Sequence, residues 1–236
     1  MTRLTRSVRD GPLPERVYEH LRDQIVDGEL PADAALVQEQ IATSLGVSRT
    51  PVRDALNRLT HEGLATWVPG SGYVVNGLTE RDIAEVSEVR RTLELSATRM
   101  ACGRHDPASL ARLTALVEEM AGTHSGDGAA QFELNRRFHR ALVEPCGNML
   151  LLKMLDSLWD HPVSRRITRS YVSESGNVAL MVEEHRELIA AAAADDLDKL
   201  AALTEEHLVT GYREAIRAHH AASVSSAGLT SNETAL

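Results

Sequence analysis

Aromatic residues make up only 3% of this chain, and no apolar run approaches the ~18 residues that a membrane-spanning helix needs. The second absence excludes a helical membrane protein. The first, beside an abundance of Ala, Leu, Glu and Arg, tilts the fold towards helices. Cysteine is scarce too: Cys102 and Cys146 stand far apart without any CxxC spacing. That excludes a disulfide framework and fits reduced, buried thiols in a cytoplasmic protein. Residues 1–11 are basic and polar with no apolar stretch, so a secretory signal is not expected there. An excess of basic charge is also missing. The formal net charge is −9, and residues 1–76 carry 8 Arg/Lys against 10 Asp/Glu while residues 77–236 carry 17 against 24. Any contact with nucleic acid must therefore be local and strongly salt-dependent.

What is present is length and a core. The 236 residues, 43% of them hydrophobic, suffice for one large domain or two ordinary ones. Within residues 43–61, Arg49, Arg53 and Arg58 face only Asp54 in charge. Here Ser48 is placed to cap a helix, its hydroxyl satisfying a first-turn N–H, and Pro51 falls in the same turn, where a missing N–H costs nothing. Val52, Leu56 and Leu59 repeat at i, i+4 and i+7 and form one buried face, while Arg49 and Arg53 share another. An ordinary amphipathic surface helix would look the same, so the flanks decide.

Residues 1–13 read as a flexible arm, with Arg3, Arg6 and Arg9 available to phosphates. Pro14 opens a first helix with Val17, Leu21 and Ile25 on one face, ended by Gly28, and Pro31 and Asp33 make a turn. Ile41 and Leu45 anchor a short second helix closed by Gly46, and the Gly46-Val47 turn leads into the Ser48 helix. Two short helices about a tight glycine turn are the signature of a helix-turn-helix. After Gly63, two short strands at 64–68 and 73–75 flank the turn cluster Pro69-Gly70-Ser71-Gly72, which predicts a wing hairpin with a glycine tip.

The segment Leu45-Gly46-Val47-Ser48-Arg49-Thr50-Pro51-Val52-Arg53-Asp54-Ala55-Leu56, with Arg58-Leu59 and Glu62-Gly63-Leu64 after it, resembles the N-terminal domain of GntR-family bacterial transcription regulators. The resemblance implies that Ser48, Arg49, Thr50 and Arg53 contact the operator, with the Gly70 and Gly72 wing tip in the adjacent minor groove. The second helix departs from the family, which commonly opens with a polar cap, Glu and Arg. Here Val37, Gln38 and Glu39 stand in those places.

From residue 77 the pattern turns helical. Thr79 can cap a long helix to about Gly103, and Asp106-Pro107 opens another to about Ala121, followed by a flexible loop over Gly122–Gly128. Further helices fall at about 129–144, 148–171 (with a break at Pro162 left open), 178–194 and 196–220. Six helices with short connections predict an antiparallel bundle, and residues 221–236 read as a disordered polar tail. Polar residues interrupt its apolar stripes. Phe132, Asn135, His139 and Leu142 share a face, as do Met181, His185, Leu188 and Ala192, and again Leu200, Leu203, His207 and Gly211. A single inward histidine usually just hydrogen-bonds a neighbour, but three with an asparagine suggest a shared metal, since buried imidazoles are costly without partners. Asn135, His139, His185 and His207 are the candidate ligands, all neutral, for zinc, nickel, copper or iron with positions open to an anion. Arg90, in a stripe with Ile83, Val86, Leu93 and Ala97, is either a snorkelling surface residue or a clamp for a carboxylate.

Val89-Arg90 with Leu93-Glu94, Asn135-x-x-Phe138-His139-x-x-Leu142, Gly147-Asn148, Glu184-His185-Arg186 and His207-Leu208 are similar to the FCD effector-binding domain of one GntR subfamily. The resemblance places metal ligands at Asn135, His139, His185 and His207, with Asn where the family often has Asp, and implies a homodimer and a small organic-acid effector near the metal.

The resulting expectation is a mainly α protein: a winged helix-turn-helix over 14–76 and an FCD-like effector-binding and dimerisation bundle over 77–220. It would be a cytoplasmic transcription regulator that binds a near-palindromic double-stranded operator, with zinc (or nickel or another transition metal) as cofactor, a small carboxylate as effector and no membrane partner. Two alternatives share the same residues. A three-histidine site with open positions also describes a metal-dependent hydrolase. Against that stand the lack of HExxH and of an inward base, Glu94 being the nearest candidate. In the other alternative, the metal itself is the signal.

Overall fold

The computed structural model describes residues 12–124, 127–172 and 175–230, and their side chains up to residue 167 and over 178–221. Residues 1–11 of the arm expected over 1–13 and the last six residues lie outside the described part, and Leu13 already belongs to the first helix. The chain divides into two compact units at Leu78/Thr79.

The first unit starts with α1 (Leu13–Val26), which carries a proline in its first turn and buries Val17, Tyr18, Leu21 and Ile25. α2 (Gln38–Leu45) is closed by Gly46 in the left-handed region, φ 67°, where a side chain would be strained. α3 (Arg49–His61) follows at once and buries Val52, Ala55, Leu56 and Leu59 against α1 and the sheet. Ser48 occupies the N-cap position of α3 in extended backbone, but its hydroxyl makes no capping bond. The capping role expected of it is therefore corrected: Ser48 holds the N-cap position through its extended backbone and not through its hydroxyl.

β2 (Ala65–Val68) and β3 (Gly72–Val75) form the expected hairpin, with Trp67 opposite Tyr73 and Val68 opposite Gly72. Gly70 and Gly72 take φ of 84° and 82°, the left-handed conformation this tight tip requires. A third strand, β1 (Ala35–Leu36), pairs antiparallel with β3 and gives the order β1-β3-β2. Its two residues are too few to show a period of two, so the sequence suggests no strand here, only the preceding turn at Pro31 and Asp33.

The second unit is all helix. Thr79 starts α4 (Glu80–Ala101) with a full capping box: its hydroxyl accepts from the Asp82 N–H and the Asp82 carboxylate accepts from the Thr79 N–H. Asp106 caps α5 (Pro107–Gly122), Asp127 caps α6 (Gly128–Val143) and Asn148 caps α7 (Met149–Asp160). The loop between α5 and α6 includes residues 125–126, outside the described part.

The helix expected over 148–171 is two helices, α7 and α8 (Pro162–Val172), separated at His161-Pro162. Proline has no N–H for the preceding turn, so it starts a new helix instead. Seven helices thus stand among the described residues of this unit where six were expected, ending with α9 (Ser175–Ala193) and α10 (Leu197–Thr230). α10 also runs past residue 221, where a disordered tail was expected. Several alanines lie in that continuation, and extending an existing helix costs far less than starting one. The core joins Leu113, Val117 and Met120 of α5 to Phe138 and Leu142 of α6 and Met181 and Leu188 of α9.

Polar contacts help tie α1 to α3 and its C-terminal end. The Tyr18 hydroxyl donates to Glu62 Oε2 at 2.5 Å, and the Arg58 guanidinium lies 3.6 Å from the Tyr18 ring centre. Burial first, then the bond to Glu62, pushes the Tyr18 pKa up to about 12. Between the ordinary tyrosine value near 10 and that value, unfolded chains lose the proton while folded chains keep it. Stability contributed by Tyr18 is therefore present below pH ~10 and lost as pH rises towards ~12, by roughly 2 kcal/mol. Denaturant titrations across this interval should show a steeper alkaline loss in the wild type than in Tyr18→Phe. Equal slopes would remove Tyr18 as the cause.

Candidate DNA-reading surface and metal centre

Because Pro51 and Val52 turn inward, the opposite side of the first turns of α3 faces solvent. Ser48, Arg49, Thr50 and Arg53 are all exposed there. The Arg53 side chain is 60% exposed, with a long 3.9 Å ion pair to Asp54. The structure thus gathers these four residues on one helix end. Gly70 and Gly72 sit at the tip of the β2–β3 hairpin, beside the 55% exposed Trp67. Glu39 is exposed in the first turn of α2, whose N-cap, Val37, has no side chain able to cap it. Arg58, counted by sequence with the basic patch, is otherwise engaged. It bonds Glu15 at 2.6 Å and Glu62 at 3.1 Å. Those carboxylates come from α1 and the end of α3, and they neutralise it.

In the helical unit, α6, α9 and α10 bring His139, His185 and His207 together. One ring nitrogen from each lies within 4.8 Å of the others, and all three residues are buried. His207 Nε2 is 3.2 Å from His139 Nε2 and 3.3 Å from His185 Nε2. The outer nitrogens identify the lone pairs. His139 Nδ1 is 2.8 Å from Glu94 Oε2 and His207 Nδ1 is 2.6 Å from Glu184 Oε2, so each Nδ1 carries a proton and donates it. The Nε2 lone pairs of His139 and His207 then face each other across 3.2 Å, an arrangement that repels until a cation stands among them. The two edges at His207 have the length that Zn–N bonds of ~2.0–2.1 Å give in a tetrahedral set, and the three nitrogens together lie within 4.8 Å. Asn135, one turn before His139, is 4% exposed, and its Oδ1 has no hydrogen-bond partner among the described residues. These residues fit a transition-metal ion.

The electrostatics agree with that fit. Burial pushes the His139 pKa down to about 4 against the pull of Glu94, and burial with the neighbouring His207 and His139 holds His185 well below the ordinary value. Both imidazoles are therefore neutral, as ligands must be. Phe138 stacks on His185 with ring centres 3.8 Å apart and fixes its plane.

Glu94, 1% exposed, is the least expected member of the site. Burial would raise its pKa, but Arg90 and His139 outweigh that and hold it well below the usual carboxylate range. Oε1 accepts from Arg90 Nε at 2.6 Å, and Oε2 accepts from His139. Both oxygens are thus engaged, so Glu94 is not poised as a hydrolytic base. The candidate ligands are still neutral groups, while Glu94 and Glu184, which the ligand set did not include, add negative charge directly behind His139 and His207.

Arg90 is neither wholly snorkelling nor wholly free. Its guanidinium packs 4.1 Å from the Trp159 ring centre, and Nη2 is buried with no partner among the described residues. Arg90, Asn135, Trp159, Ser164, His207 and Tyr212 line part of one cavity of about 50 Å³. Sequence reasoning singled out Arg90, Asn135 and His207 but missed Trp159, Ser164 and Tyr212, which follow no stripe of chemically distinctive residues. Glu184 was visible only as a neighbour of His185. Its bond to His207 runs between helices, and no spacing within one helix reveals it.

With this geometry in place, comparison with known proteins is direct. Residues 13–75 match the family model described as bacterial regulatory proteins, gntR family, and residues 85–210 match the FCD domain. The chain is 28% identical to the HTH-type transcriptional regulator McbR of Escherichia coli (strain K12), covering 89% of this chain and 97% of that protein. It is 31% identical to the Nta operon transcriptional regulator of Aminobacter aminovorans, over 72% of this chain and 78% of that one. The solved structure of E. coli McbR/YncC superposes with a TM-score of 0.61 at 26% identity, covering 88% of this chain and 98% of that chain. The winged helix-turn-helix, the helical bundle and these relatives agree: the chain belongs to the GntR family of bacterial regulatory proteins, with a C-terminal FCD domain, and is a DNA-binding transcription regulator, not an enzyme.

Proposed function

We propose that this regulator works in the cytoplasm as a homodimer on a near-palindromic operator, and that a small carboxylate held beside a divalent metal in the bundle sets its operator affinity. The observation that carries the reading is the convergence of the three imidazoles beside a cavity that Arg90 also lines.

On the DNA side, the N-terminal end of α3 would enter the major groove, with Ser48, Arg49, Thr50 and Arg53 as its contacts. Gly70 and Gly72 would let the wing backbone approach the adjacent minor groove. A second copy of the chain supplies the second recognition helix. α7 offers a surface for it, since Met149, Leu150 and Met154 are 61%, 69% and 50% exposed.

In the bundle, Asn135, His139, His185 and His207 would hold the metal, and Glu94 and Glu184 orient the imidazoles. Zinc suits the nitrogen-rich donors best, with nickel next. When bound, the metal would supply a Lewis-acidic cation with positions open to a carboxylate. Arg90 would take the other side of that carboxylate through Nη2, while Trp159 covers the guanidinium face. An acid that binds one of two conformational states more tightly shifts the chain towards it, and operator affinity follows.

Three outcomes test this reading. Arg49→Ala and Arg53→Ala should each weaken binding to an operator selected from random DNA by about tenfold or more, and flatten its salt dependence. Arg58→Ala should instead lower stability, because its charge is engaged within the domain. If Arg49→Ala and Arg53→Ala, folded, bind as the wild type does, α3 is not the reading helix. Native mass spectrometry of freshly purified protein should show a dimer with one metal per chain. His139→Ala should lose that metal, and Asn135→Asp should hold it more tightly; a metal-free monomer in the wild type would overturn the assembly proposed here. Finally, Arg90→Lys keeps the charge opposite Glu94 but not the guanidinium fork, so it should abolish release of DNA by acids while retaining the metal. If metal alone releases DNA and no acid does, the metal is the signal.

A further inference from the structure

Ser164 lies in the first turn of α8, two residues after Pro162, and is 6% exposed. A serine in that position normally turns its hydroxyl to a backbone group. Here Oγ has no hydrogen-bond partner among the described residues, and the residue lines the same cavity as Arg90 and Asn135. Three residues that line this cavity thus each carry a buried polar atom that the described residues leave unpaired: Arg90 Nη2 on α4, Asn135 Oδ1 on α6 and Ser164 Oγ on α8. Buried polar groups are rarely left unpaired, because each costs ~1–3 kcal/mol, so a cluster of them on one cavity calls for a ligand that pairs them.

Size narrows the class. A water needs ~10–15 Å³ of such space, so a cavity of about 50 Å³ holds a few water-sized groups and not a long alkyl chain. Leu158, Ile167 and Met181 close its apolar walls. An acid of roughly two to five carbons fits that room. Polarity narrows it further. A plain carboxylate would satisfy Arg90 and leave the Ser164 hydroxyl dry. An acid carrying a second oxygen function a few bonds away satisfies both, and a hydroxyl can serve that oxygen as donor or acceptor.

We propose that Ser164 makes this site selective for a short, oxygenated acid, a hydroxy or oxo acid, over the plain acid of equal length. The inference rests on the carboxylate-effector reading above and names the chemical class it would take. Ser164 is then a specificity residue. Arg90 supplies affinity for every acid, and Ser164 distinguishes among them.

The test uses the full-length, zinc-loaded chain and two matched pairs, lactate against propionate and malate against succinate, with decanoate as a long-chain control. Calorimetry should show the wild type preferring the oxygenated member of at least one pair by about fivefold, the worth of one neutral hydrogen bond whose loss leaves a buried group unpaired. Ser164→Ala should weaken only that oxygenated acid and bring the pair within about twofold of each other. Without any acid, Ser164→Ala should melt at the same temperature as the wild type or higher, because it deletes an unpaired buried hydroxyl. A variant that melts several degrees lower would mean that Ser164 makes a structural bond, and the proposal would fall. It would equally fall if the wild type does not discriminate within either pair, if Ser164→Ala keeps the preference, or if decanoate binds best. Failure of the underlying reading looks different. In that case no acid binds the metal-loaded wild type at all, and Arg90→Lys changes nothing.

Discussion

Glu94 occupies the place in the bundle on which the rest of the site depends. A carboxylate buried this deeply is expensive to ionise unless charge and hydrogen bonds offset the loss of water. One oxygen is offset by Arg90 and the other by His139. The residue proposed to grip an acid and one proposed to grip a metal are thus held by the same side chain. Arg90 Nε is committed to Glu94 and its face to Trp159, so the Nη2 edge is what remains for a ligand. His139 is committed through Nδ1, so its Nε2 lone pair is what remains for a cation. Glu94 fixes both orientations without spending either reactive edge, and any shift at one partner is felt at the other through a bond shorter than 3 Å.

The reading head faces a different constraint, a domain that is not net basic. The side chains of Arg58 and Glu62 and the ring of Tyr18 consume one of the three arginines of α3 in holding α1 to α3. That contact stabilises the domain and also removes a cation from the surface. What remains exposed at the start of α3 is Arg49 and Arg53, the latter with Asp54 beside it. Few charges with defined positions favour base contacts over broad phosphate attraction. The unused hydroxyl of Ser48 belongs to the same picture. Since it makes no capping bond, it is available to a partner outside the domain.

Much of this was legible in the sequence where a residue acts through its own helix. The glycine stop at Gly46, the Thr79 and Asp106 caps, the wing glycines and the three histidine-bearing stripes all follow from spacing along one element. Contacts between elements were not legible. Nothing local announces that Glu184 on α9 serves His207 on α10, that Glu15 on α1 neutralises Arg58 on α3, or that Ser164 lines the cavity with Arg90. β1 escaped because two residues carry no periodicity. A break at Pro162 was visible in the sequence but stayed open, since only tertiary packing decides whether such a helix kinks or restarts.

The same distinction bears on how a bundle of this kind can respond to a small molecule at all. A core packed and paired throughout is indifferent to ligands, because nothing in it improves when one arrives. This core is well packed around Phe138, Met181 and Leu188 yet leaves Arg90 Nη2, Asn135 Oδ1 and Ser164 Oγ unpaired at one place among the described residues. Each such atom lowers the stability of the ligand-free form by ~1–3 kcal/mol, and each is a term that a ligand can recover. The unpaired atoms come from α4, α6 and α8, so a ligand that pairs all three ties those helices together. Binding energy is then spent where it distinguishes a tightened bundle from a looser one. That difference, not affinity itself, is what shifts a conformational equilibrium.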